Sequence, residues 1–156
     1  MPSVTIREYN PTTGALIGNV SSLSYGRIVS GSHSSVKVLD FAFTGVSSVS
    51  NVKLALLSSG GVTANTAPEG ITSDGSSSNG KFGIEHSSAF DLTKTSGPLI
   101  RHFSGINSTE SAADTHNVEI GTRNSTTSQF VYIDMEVGSS ALGSGAGSYR
   151  VFFDFV

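Results

Sequence analysis

The chain has 156 residues, a net charge of −3 and no cysteine, which suits a single domain spanning 1–156 that buries about two-thirds of its unfolded surface without disulfides. Its nine Lys and Arg are scattered singly and no apolar run reaches membrane-spanning length, so neither nucleic acid nor a membrane is expected as a partner. Charged residues make up only 13%, against about 25% in an average soluble domain. Ser is the commonest residue, and Ser, Thr, Asn and Gly all rank low in helix propensity, whereas the β-branched and aromatic residues of the apolar share favour strands. Met1–Asn10 lacks the charged-then-apolar shape of a signal peptide, and a cysteine-free chain is expected to fold in a cytoplasm.

In chain order, "VTIREYN" (Val4–Asn10) reads as a strand and "NPTTG" as a turn. "ALIGNVSSLSYGRIV" returns with looser alternation, broken by Gly18 and Gly26. "VKVLDFAFT" (Val36–Thr44) and "NVKLALLSS" (Asn51–Ser59) are strong strands, followed from Gly60 to Gly80 by a long loop of turn chemistry. "KFGIEHS" resumes as a strand, "SSAFDLTK" reads as a turn, "PLIRHFSGI" as a further strand and "NSTESAADTHN" as a polar loop. "HNVEIGTRN", "SQFVYIDMEV" and "SYRVFFDFV" finish the domain. About eight or nine strands with no convincing helix predict an all-β fold, a single antiparallel β-sandwich or jelly roll.

Period-2 alternation assigns the faces. Leu39, Phe41 and Phe43 fall on one side of their strand, with Val38, Asp40 and Ala42 on the other. Val131, Ile133, Met135 and Val137 oppose Phe130, Tyr132, Asp134 and Glu136. In the last strand Tyr149, Val151, Phe153 and Phe155 alternate with Arg150, Phe152, Asp154 and Val156, and Val151, Phe153 and Phe155 are expected in the core of an internal or closing strand. The second faces are half apolar. Scattered surface hydrophobes explain this in bland terms; cover by another subunit explains it more sharply, and Phe130, Tyr132 and Phe152 are then the candidate interface residues.

Candidate chemistry is sparse. His33, His86, His102 and His116 sit in separate segments without ligand spacing, so no metal or other cofactor is expected. No G-x-S-x-G elbow surrounds a serine, and no catalytic residue is assigned. "SDGSSSNG" has one Asp where a calcium loop needs several, and "GSGAG" lacks the Lys and helix of a phosphate cradle. Lys37 shares a face with Leu39 and Phe41; it is expected at the strand end, reaching water, with an isopeptide crosslink as the alternative. A carbohydrate-binding module is the rival binding function, and with no Trp its only loop aromatics are Tyr25 and Phe103.

"VTIREYNPTTGALIGNVSSLSYGRI", "VKVLDFAFTGVSSVSNVKLALLSSGG" and "FVYIDMEVGSS…GSGAGSYRVFFDFV" together resemble the small all-β virion structural proteins of tailed bacteriophages. The likeness lies in general character rather than in any one motif, with cysteine-free, Ser/Thr/Gly-rich strands and a chain that ends within its last strand. It implies a non-enzymatic virion protein made in the host cytoplasm, a capsid decoration or cement protein first and a tail, baseplate or fibre part second. The implied partners are capsid or other virion proteins and further copies of the chain, with closed symmetry and a trimer as the expectation.

Overall fold

A computed structural model describes residues 1–57, 80–96, 118–119, 127–137, 139 and 148–156. These are mostly β-strand, in antiparallel sheets, with almost no helix. The strands are β1 (Ser3–Tyr9), β2 (Leu16–Val20), β3 (Lys37–Thr44), β4 (Val49–Leu57), β5 (Gly80–Ser87), β6 (Val118–Glu119), β7 (Phe130–Val137) and β8 (Ser148–Phe155). One sheet has five strands in the order β2-β1-β3-β7-β5, the other three in the order β6-β4-β8. The stretch read as a turn contains a short 3-10 turn, Leu92–Lys94. No helix among the described residues is long and apolar enough to cross a membrane.

The β1–β2 hairpin closes as its turn residues dictate. Asn10 Oδ1 accepts from the N–H groups of Thr12 and Thr13 at 2.9 and 3.0 Å, and the Gly14 N–H bonds back to the Asn10 carbonyl at 2.8 Å. Gly14 has φ +72°, and a Cβ there would meet the Phe90 ring at 3.3 Å. Backbone conformation and close approach both call for glycine. β2 is shorter than the returning strand expected from sequence. Beyond it the chain leaves the sheet, and Leu23, Tyr25 and Ile28 pack against the core instead.

Alternation places the core faces of β3 and β7 as expected. Leu39, Phe41 and Phe43 meet Val131, Ile133 and Met135, and both groups pack with Val49, Val52 and Leu54 of β4. Tyr149, Val151 and Phe153 of β8 close on the same cluster, so both sheets contribute to one core. In β4 the period is interrupted. Asn51 has φ +49° and the β4–β8 register slips between Ser50 and Lys53. This bulge lets Val49 and Val52, three residues apart, both be buried. Asn51 Nδ2 donates to Asp154 Oδ2 at 2.7 Å, holding the bulge to β8.

Two expectations for the last strand change. β8 pairs with β4 from Ser148↔Leu57 to Phe155↔Val49, but among the described residues it has no strand on its other side and is an edge. Phe155, expected in the core, is 55% exposed. It stands opposite the first residue of β4, where the ladder ends, and its ring leans on Phe153 at 5.9 Å. The segments expected as a long loop after β4, as a strand at 98–106 with a polar loop after it, and most of the Gly/Ser stretch before β8 lie outside the described residues.

Candidate functional site

The second face of the five-stranded sheet gathers the buried carboxylates found among the described residues. Val38 and Asp40 on β3 and Tyr132 and Asp134 on β7 alternate away from the shared core, yet none is more than 5% exposed. Glu85, paired opposite Tyr132 on β5, is buried as well. Burying a carboxylate is costly unless a cation or hydrogen-bond donors compensate it. Each of these acids has such a partner from a neighbouring element.

Arg7 of β1 stands opposite Asp40 in register. Its Nε donates to Asp40 Oδ1 at 2.7 Å, a second guanidinium nitrogen donates to Oδ2, and the Tyr9 hydroxyl donates to Oδ2 at 3.1 Å. The bond to Asp40 raises the Arg7 pKa still further, and burial, with the Asp40 charge second, raises that of the Tyr9 phenol. Asp134 Oδ2 lies 3.1 Å from His33 Nδ1; His33 reaches it because its backbone bridges to Glu136 on β7. Glu85 Oε2 accepts from Lys94 Nζ at 2.7 Å, a bond that raises the Lys94 pKa.

The apolar part of this face is covered by residues that follow β5. Phe90 packs with Tyr9 and Phe130 onto Val36, Val38 and Tyr132. Phe130 meets Tyr9 edge-on at 5.1 Å between ring centroids and Phe90 at 6.0 Å, the geometry aromatic quadrupoles favour. Asp91 caps the 3-10 turn, its Oδ1 accepting from the Thr93 N–H and hydroxyl at 2.9 and 2.7 Å; these bonds lower the Asp91 pKa. The Asp91 N–H donates to the Tyr132 phenol oxygen, and the Tyr132 hydroxyl in turn donates to the Ala89 carbonyl. Burial raises the Tyr132 pKa.

No family model, curated protein or solved structure matches the chain. What the site can do therefore follows from its own geometry.

The three residues expected at a subunit contact are not brought together. Tyr132 is fully buried within its own chain, so it offers no outward surface while residues 87–96 stay in place. Phe130 is half-buried beside it. Phe152 is half-buried on β8 in the other sheet, between two residues that pack into the shared core; alternation sends it out of the opposite side of the molecule from Phe130. The covering residues were legible only as a turn, because "SSAFDLTK" carries just Phe90 and Leu92 as large apolar side chains.

Other candidates also find places. Tyr25, weighed as a glycan platform, packs against the core, and its hydroxyl lies 3.0 Å from that of Tyr149. Burial raises both phenols, that of Tyr149 well above its ordinary value. Phe103, His102 and His116 lie outside the described residues. Lys37 sits at the start of β3 and donates from Nζ to Glu8 Oε1 at 2.9 Å, a non-covalent pair at the strand end. Among the described residues no three His, Asp or Glu side chains gather as a metal-ligand set. Ser128, which pattern reading missed, is 3% exposed and bonds Phe41 with both its N–H and its Oγ, extending the β3–β7 pairing.

Proposed function

We propose that the chain is a non-enzymatic structural protein of a tailed-phage virion, in the first place a capsid decoration protein that binds the head surface in many copies. Its two sheets close as one antiparallel β-sandwich domain, a reading supported by the core cluster that takes side chains from both. The observation that carries the functional reading is that the buried acids of this face are partnered inside the chain: Asp40 is ion-paired with Arg7, Glu85 is ion-paired with Lys94, and Asp134 lies within hydrogen-bond distance of His33. A reacting site needs a group poised to exchange a proton or attack a substrate. Paired and overlaid charges instead hold a sheet in one shape, which suits a subunit that presents a rigid surface to a lattice.

The likeness of the strand sequences to small phage virion proteins supplies the particle and the partner. A ligand that binds only the intact lattice stabilises it by mass action. Heads lacking the protein are therefore expected to assemble, to rupture earlier on heating, and to regain resistance when purified protein is added back. Heads with unchanged rupture temperature after addition, and no protein co-sedimenting with them, would remove the decoration reading.

A further inference from the structure

We propose that residues 88–96 form a lid over Tyr132, one that opens as a unit while both sheets stay folded. Tyr132 and Val38 are wholly buried, yet the segment that covers them is not a strand. It follows directly on β5, and among the described residues its backbone joins no ladder. The Lys94 N–H bonds the Asp91 carbonyl at 3.2 Å and the Thr95 N–H bonds the Leu92 carbonyl at 3.3 Å, both inside the 3-10 turn. β7 beneath it is bonded to β3 on one side and to β5 on the other.

The ties between lid and sheet run through side chains. The Phe90 ring lies 6.0 Å from that of Phe130 and 6.4 Å from that of Tyr132, close against Gly14 of the first hairpin. The Asp91 N–H donates to the Tyr132 phenol oxygen at 2.7 Å, and that hydroxyl donates to the Ala89 carbonyl at 3.4 Å. Lys94 Nζ fastens the far end to Glu85 Oε2 at 2.7 Å.

A strand leaves a sheet only by giving up a row of backbone bonds, whereas this segment gives up a ring contact, a phenol bonded to two of its backbone groups and an ion pair. Ser88, Ala89, Leu92, Thr93 and Ser96 are exposed already. Lys94 keeps 27% side-chain exposure, so water reaches the latch, and both of its ions regain hydration as it parts. The pairing of β7 with β3 and β5 and the Arg7–Asp40 bonds involve no lid residue and survive the opening. The aromatic face that alternation marks on β7 is therefore present in the fold and shut. The inference rests on this cover alone and is independent of the virion reading.

The test is native-state hydrogen exchange of the full chain in rising, sub-denaturing urea. The Asp91 amide reports the lid, and the amides of Val131–Ile133 report the sheet. Without urea, Asp91 is expected to exchange at least about a hundredfold faster than Val131–Ile133 but slower than a free amide. Its rate should stay flat as urea rises, since a small opening exposes little surface, while the sheet amides accelerate. Lys94→Gln is expected to speed Asp91 exchange about threefold or more, although Lys94 is not the partner of that N–H. Asp91 exchanging in step with the sheet amides at every urea concentration overturns the proposal, because the cover then leaves only with the whole domain. Exchange at the free-amide rate overturns it too, as the cover is then not closed. An Asp91 rate indifferent to Lys94→Gln also overturns it, because the ties then do not open together.

Discussion

The backbone N–H of Asp91 donates to the phenol oxygen of Tyr132 across 2.7 Å, joining a turn after β5 to the middle of β7. That bond accounts for the fate of the sheet's second face. The apolar side chains there are sealed by Phe90 and its neighbours, and the polar end of Tyr132 is satisfied where a bare hydroxyl would be costly.

Tyr132→Phe keeps the ring and loses the hydroxyl, so a cost of about 1 kcal/mol is expected. Tyr132→Ser empties a fully buried site and is expected to cost about 3–5 kcal/mol, enough to unfold a marginal domain. Phe130→Ser, at a half-buried position, should cost less. Urea denaturation of the three variants checks the order; equal and small losses would mean that the face is not sealed.

Asp40 tests the buried charge. Asp40→Asn removes the carboxylate that receives two guanidinium bonds and one phenol bond. Arg7 retains 27% side-chain exposure and recovers some hydration, so the expected loss is about 2–3 kcal/mol, below the figure for a fully buried pair. The double variant Arg7→Met with Asp40→Asn should recover part of it, which a double-mutant cycle measures.

The faces of β3 and β7 were legible in the sequence because period 2 runs unbroken through Val36–Phe43 and Phe130–Val137. The parity of β4 was not, since one residue in a left-handed conformation, Asn51, shifts everything after it. The sealing of Tyr132 was hidden for a different reason. Its cover lies about forty positions earlier in a Ser-rich turn, and nothing local in "SSAFDLTK" marks Phe90 as a core side chain. Alternation shows which residues share a face, whereas what lies on that face depends on non-local packing. Asp40 and Asp134 stood in the strand patterns on the second faces, Glu85 had no face assigned, and the partners Arg7, His33 and Lys94 come from three separate elements.

Gly14 links the first hairpin to the same cover. Gly14→Ala forces a Cβ into the left-handed region and against the Phe90 ring at 3.3 Å. A loss of about 1–2 kcal/mol is expected, seen as a lower urea midpoint at unchanged slope. Ala at Gly26, also left-handed but with nothing within 4 Å, should lose only the conformational part.

Tyr25 and Tyr149 predict an alkaline limit. Both phenols are raised by burial in the folded chain, while an unfolded phenol titrates at about 10. Above that pH the unfolded state releases protons that the folded state retains, so the stability contribution, complete below pH about 10, falls as pH rises. Tyr149→Phe removes one of these protons and should flatten the fall, measured as urea stability from pH 9 to 11.5.

Copy number per particle tests the functional account most directly. Quantitative mass spectrometry of purified virions against the major head protein is predicted to find the chain in a fixed, high ratio set by the head lattice. Its absence from the purified particle would contradict the account.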